Sequence, residues 1–256
     1  MLRSVLGVLL IACTAALAGG GFYAAASIKA DMIDQVTLCP RNGATSATLI
    51  LIDRTDPLTP IEQIFARDLI AAQRDAAARG ERLAVKVLRE NGSGVTLETL
   101  VDLCNPGAEA NPFFENPKRI VARYDNAFLQ PVEEALAALG REGNATASPI
   151  AEALALGVHG LDAKPDGPLK IILVSDMMEH GPGASAYNGT LTPDALGERL
   201  LAEVRPALSA ARMTVVLIPR PRLAKQQASA MRAWRRLFLE LSGRDPVLMQ
   251  PFGSGA

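Results

Sequence analysis

Six short apolar runs, most of them followed by a helix-period pattern, constrain this chain more than any other feature. Leu49, Ile50, Leu51 and Ile52 stand side by side within residues 47–52. A strand apolar at consecutive positions is buried on both faces. Residues 60–80 then carry Ile61, Ile64, Phe65, Leu69 and Ile70 at helical spacing, closed by Gly80. Strand two, 82–88, alternates Leu83, Val85 and Val87, and the turn chemistry of 89–94 lets 95–104 return beside it as a hairpin. The Asn- and Pro-rich stretch 105–118 is a loop. Residues 119–140 read as a helix interrupted near Pro131, and 140–147 as a flexible loop. A helix over 148–161 is predicted with Ser148 as its N-cap and Pro149 at its first position. Beyond it come a strand ending in Ser175-Asp176, a polar glycine-rich loop over 181–192, and a helix over 193–212 broken by Pro206. A strand over 213–221, an amphipathic helix closed by Gly243 and a short last strand over 245–253 complete the pattern.

Alternation of this kind implies an α/β fold: a three-layer, doubly wound, mostly parallel six-stranded sheet with helices on both faces. The hairpin places one antiparallel strand at an edge. Residues 47–256 form this single domain.

The first 30 residues are excluded from the fold. Arg3 is followed by roughly 25 uncharged, mostly apolar residues, over about 4–27, enough to span a bilayer as a helix. Three readings fit: a cleaved signal peptide, an uncleaved transmembrane anchor, or a lipoprotein signal around Cys13. All three export the remainder, so the expectation is a periplasmic or other extracytoplasmic domain, membrane-anchored unless cleaved, with 31–46 as a juxtamembrane segment. Cys39 and Cys104 are then an even pair in an oxidising compartment. The third strand runs opposite to the first, which brings Cys104 near the start of strand one, just after Cys39. A disulfide is therefore favoured over two small buried thiols.

The formal charge of −1 gives no basic excess to displace counterions, which argues against nucleic acid as a partner. Arg232, Arg235 and Arg236 beside Trp234 read as a solvated helix face. There is no P-loop, no GxGxxG and no GxSxG elbow. The sequons at Asn91, Asn144 and Asn188 mark surface turns.

In a doubly wound sheet, ligands sit beyond the carboxyl ends of the strands where strand order reverses. Strand one delivers Asp53, Thr55 and Asp56 there, the strand at 169–175 delivers Asp176, and the loop before the helix at 149 supplies Thr146 and Ser148. Carboxylate and hydroxyl oxygens are the donors a hard cation such as Mg²⁺ takes. Asp53 or Asp56 capping the helix that starts near Pro60 is the plainer alternative.

Asp53-Arg54-Thr55 resembles the opening of the metal-ion-dependent adhesion site of von Willebrand factor A domains. The segment 148–154 is similar to their hydroxyl-bearing helix start, and 171–176 to their fourth strand with its terminal Asp. The resemblance covers roughly residues 45–252 and implies a von Willebrand A-like, Rossmann-like fold. It also implies Mg²⁺ held by Asp53, Thr55, Ser148 and Asp176, with Asp56 and Thr146 as alternative or supporting groups. An acidic side chain of a protein partner would fill an open position on the metal. Three departures stand out: Pro57 replaces a second hydroxyl, Ser148 replaces the commoner Thr, and Met177 stands where a Gly usually follows the Asp. The expected function is a non-enzymatic protein-binding module. The alternatives are a metal-dependent hydrolase or phosphotransferase with Asp53 as nucleophile and Asp176 as metal ligand, and a structural envelope subunit with a degenerate site.

Overall fold

The structure, a computed structural model, describes residues 33–90, 95–110, 116–139, 145–161 and 167–250, together with positions 13, 14, 16, 19 and 20. The signal or anchor reading of residues 1–30 lies almost wholly outside the described residues. Among the described residues no helix is long and apolar enough to cross a membrane.

The main sheet contains β1 (Ser46–Asp53), β2 (Glu81–Glu90), β3 (Val95–Cys104), β4 (Leu169–Ser175), β7 (Arg212–Leu217) and β8 (Val247–Met249). Between β4 and β7 lies a two-stranded hairpin of β5 (His180–Gly181) and β6 (Ala184–Ser185). The order across the main sheet is β3-β2-β1-β4-β7-β8, all neighbours parallel except the antiparallel β2–β3 edge. The chain leaves β1 toward β2 and leaves β4 toward β7, so the order reverses between β1 and β4.

Both faces are covered, which is why the central strands have no polar alternation. On one face Ile50, Ile52, Val85 and Val174 pack under α1 (Pro60–Ala76) and α3 (Gln130–Ala138). On the other, Leu49, Leu51, Ile171 and Val215 meet α4 (Ile150–His159), α5 (Pro193–Arg199), α6 (Arg205–Ala210) and α7 (Ala224–Ser242). Trp234 and Phe238 of α7 are buried there, while Arg235 and Arg236 pair outward with Asp245 and Glu240. The arginine group is a solvated helix face, as its spacing implies.

Cys39 and Cys104 are joined, 65 residues apart. The Cys104 N–H also donates to the Thr37 carbonyl, so the segment before β1 is tied to the sheet edge and Leu38 is buried.

Several boundaries differ from the sequence reading. The interruption near Pro131 is a π-turn over Asp125–Leu129, joining α2 (Pro117–Tyr124) to α3. Pro131 has no N–H to give, and the bonding register shifts just before it. The break in 193–212 falls ahead of Pro206: α5 stops at Arg199, and Pro206 lies in the first turn of α6. Proline is at home there because that turn has no partner for its N–H. The loop 181–192 contains most of the β5–β6 hairpin. Finally, Ser148 does not cap α4: the helix starts at Ile150 with no cap from its own flank.

Candidate functional site

β1 carries Asp53 to the switch point, where its carboxylate gathers three hydroxyls. Oδ1 accepts from the Thr55 N–H at 3.1 Å and the Thr55 hydroxyl at 2.7 Å. Oδ2 accepts from Ser148 at 3.2 Å and from Ser175 at 2.8 Å. Those four bonds fill the acceptor capacity of a carboxylate. A nucleophile or a direct metal ligand at this position has to give up one of these bonds, so nothing in the geometry favours the phosphotransferase alternative. Backbone pairing fixes the surroundings: Ala145 N–H donates to Thr55, and Ser148 and His180 exchange both backbone bonds.

Helix α1 is capped by Thr59, whose hydroxyl accepts from Glu62 N–H while Glu62 accepts from Thr59 N–H. Neither Asp53 nor Asp56 caps it. Helix α4 is capped from a distance by Glu179, which accepts from Ala151 N–H at 2.9 Å. Ser148 is thereby released to face Asp53.

Asp176 follows β4. Its Oδ1 accepts from Met178 N–H at 2.9 Å and its Oδ2 from Arg220 Nε at 2.8 Å. Arg220 Nη2 lies 3.7 Å from Asp56. Met177, between Asp176 and Met178, is held at φ 61°. This left-handed conformation is strained for a side chain and natural for glycine, which explains the glycine the resemblance leads one to expect. It persists because Trp234 Nε1 bonds the Met177 carbonyl, the Met177 N–H bonds Ser175 Oγ, and the side chain is buried.

Beside Asp53 opens a pocket of about 300 Å³ lined by Thr55, Asp56, Thr146, Ser148, Asp176 and, at its hairpin wall, His180 and Tyr187. The two rings meet edge to face at 5.3 Å. Thr146 lines the pocket without reaching Asp53, and Asp56 stands exposed at its edge. Burial, then the neighbouring Asp53 charge, pushes the Asp176 carboxyl up to about 6, partly offset by Met178 N–H and Arg220. Burial likewise pushes Glu179 up to about 7, against its helix-cap bonds and Arg199.

Asp53, Thr55, Ser148 and Asp176 are thus brought to one place, with Asp56 and Thr146 at its margin. Among the described residues no three Asp, Glu, His or Cys side chains converge tightly enough to hold a metal unaided. The donor set is instead carboxylate plus hydroxyl: Asp176 and Asp56 share the guanidinium of Arg220, and Asp53 is held by hydroxyls. Hard oxygen donors under excess negative charge fit a Mg²⁺ ion.

Ser175, Gln227 and Arg220 were not singled out by sequence reasoning. Ser175 adjoins Asp176 at a strand end, and that position is the one signal that marks it. Arg220 comes from the turn after β7 and Gln227 from the first turn of α7, neither of which carries an acidic motif.

No family model matches the chain, and no curated relative matches it. It is similar to several solved structures. One is the conserved hypothetical protein BatB from Bacteroides thetaiotaomicron, 13% identical over 69% of this chain and 68% of that one, with a TM-score of 0.40. Another is the SpRpn10 VWA domain, 12% identical over 82% and 91%, TM-score 0.46. A third is von Willebrand factor type A from Catenulispora acidiphila, 14% identical over 73% of this chain and 42% of that one, TM-score 0.40. The chain thus spans less than half of the Catenulispora protein. The fold assignment rests on the sheet itself: six strands, mostly parallel, with one antiparallel edge, as the resemblance implies.

Proposed function

We propose that this chain is an exported, membrane-anchored von Willebrand A-like module that binds a protein partner at the carboxyl end of its sheet. In this reading Asp53, Thr55, Ser148 and Asp176 hold a Mg²⁺ ion. The observation that carries it is the convergence on Asp53 of hydroxyls from three separate segments, at the switch point and beside an open pocket. A bound Mg²⁺ would offer a coordination position to an acidic side chain of the partner. The chain's own groups do the rest. Asp53 orients the hydroxyls, Asp56 and Thr146 border the entrance, and the His180–Tyr187 ring pair forms one wall.

The test is thermal melting of the full chain with Mg²⁺ and with chelator. Binding to the folded state alone raises the melting temperature. Mg²⁺ should raise it in the native protein and not in Asp53→Ala; identical melting in both conditions would remove the metal from this reading. Partner binding is tested by crosslinking in the native membrane. A partner recovered with the native chain should be lost both in Asp53→Ala and in a pocket-filling Thr146→Trp. Retention in both variants would move the binding surface elsewhere.

A further inference from the structure

We propose that Arg220 is a latch on this site: its guanidinium competes with the divalent cation for Asp176, so that metal loading and release of Arg220 are a single exchange. The inference rests on the metal-site reading above.

Arg220 spans the two carboxylates that flank the pocket, bonding Asp176 through Nε at 2.8 Å and approaching Asp56 through Nη2 at 3.7 Å. One oxygen of Asp176 is already committed to the Met178 N–H. The other is the one Arg220 holds. Each oxygen keeps one free lone pair, but a cation that takes the one on Oδ2 lies beside the guanidinium, and two cations at contact distance repel.

The turn that carries Arg220 does not depend on this contact. Arg220 N–H donates to Gln227 Oε1 at 3.0 Å, and Gln227 Nε2 donates to the carbonyls of Asp176 at 3.0 Å and Ile218 at 2.7 Å. Ile218 N–H in turn bonds the Ser175 carbonyl. Gln227, itself buried, thus fixes the backbone of the turn against the end of β4. The Arg220 side chain, 21% exposed, is free to leave along a solvent route without remodelling the loop. A fixed backbone beneath a long, partly solvated charged side chain is the construction a local two-state contact requires.

The experiment is a Mg²⁺ titration of the full chain, followed by melting temperature and by displacement of Mn²⁺ in its paramagnetic resonance signal. It compares the native protein, Arg220→Ala, Arg220→Gln and Arg220→Lys. Half-saturation in the Ala and Gln variants is expected at Mg²⁺ concentrations roughly tenfold lower or more, the size of effect when a charge-assisted hydrogen bond no longer has to be broken. Arg220→Lys keeps the charge and should stay near the native value. In the double variant Asp53→Ala, Arg220→Ala the response should vanish. Equal titrations in the native and Arg220→Ala proteins would overturn the latch and leave the metal site standing. No response in any protein would remove the site and the latch together. In the native protein, the Arg220 Nε–H resonance should move to the free-arginine position as Mg²⁺ is added. A resonance unchanged while the site fills would overturn the exchange whatever the variants do.

Discussion

Glu179 makes a sharp demand on the pH dependence of stability. Its side chain is fully buried, with Oε2 bonded to Ala151 N–H and Oε1 without a hydrogen bond, 3.4 Å from Arg199 Nε. Burial raises it from 4.5 to about 7. A carboxyl with a raised folded value binds its proton more tightly folded than unfolded. Its contribution is therefore fully present below about pH 4.5, is lost as pH rises, and is gone above about 7. At 1.36 kcal/mol per tenfold, the gap corresponds to on the order of 3 kcal/mol. Asp176, raised from 3.8 to about 6, acts with the same sign in a lower window. Urea unfolding followed by the fluorescence of Trp234, the single tryptophan, should show stability falling between pH 5 and pH 8. Glu179→Gln keeps an oxygen for the Ala151 N–H, and Arg199 retains Glu152 and the Pro182 carbonyl. Most of the decline should disappear in that variant, leaving the lower window that belongs to Asp176. A native profile that is flat or rising from pH 5 to 8 would refute the reasoning. So would a Glu179→Gln profile as steep as the native one, because it would mean that Arg199 neutralises Glu179 more completely than burial penalises it.

Two further perturbations follow from the same structure. Removing the Cys39–Cys104 bridge by Cys104→Ser should cost about 4 kcal/mol from the entropy of a loop this long, read as a lower urea midpoint; a midpoint within about 1 kcal/mol of native would show that the segment before β1 is held by packing alone. At Met177 the usual order of small residues should invert. Both Ala and Gly lose the buried side chain, but Gly also relieves the left-handed strain, so Met177→Gly should be more stable than Met177→Ala by about 1 kcal/mol. The reverse order in thermal melting would mean that the strain is not there.

The architecture was legible because its signals are local and repeated. Apolar runs such as 49–52 leave a strand no exposed face, the 89–94 turn forces the hairpin, and the hairpin's direction brings Cys104 to Cys39. The acids at strand ends were legible for the same reason. What sequence could not supply is pairing across the sheet. Ser148 carries every local mark of an N-cap, yet its hydroxyl goes to Asp53, because Glu179, 28 residues from Ala151, caps α4 instead. Arg220 is one arginine among many until the β4–β7 pairing sets the turn after β7 over Asp176. The π-turn ahead of Pro131 shows the same limit on a smaller scale: proline announces an interruption but not the form it takes.

That Asp53 does not serve as a helix cap follows by elimination among its neighbours. The helix nearest it in sequence has its own reciprocal cap in Thr59 and Glu62, and the helix nearest it in space has Glu179. The side-chain caps of both helices thus come from residues other than Asp53. Asp53 accepts one backbone N–H, from Thr55 two residues on, and otherwise collects hydroxyls. A buried carboxylate surrounded by hydroxyls, with a second carboxylate pressed up toward neutrality beside it, is costly for a fold to keep. Arg220 meets Asp176 and approaches Asp56, while Asp53 sits behind its hydroxyls beside the pocket. A group that enters this pocket and relieves that charge must be cationic, or carry a cation with it. In the proposed reading, the charge balance around Arg220, together with the hydroxyl pattern, sets what the site accepts.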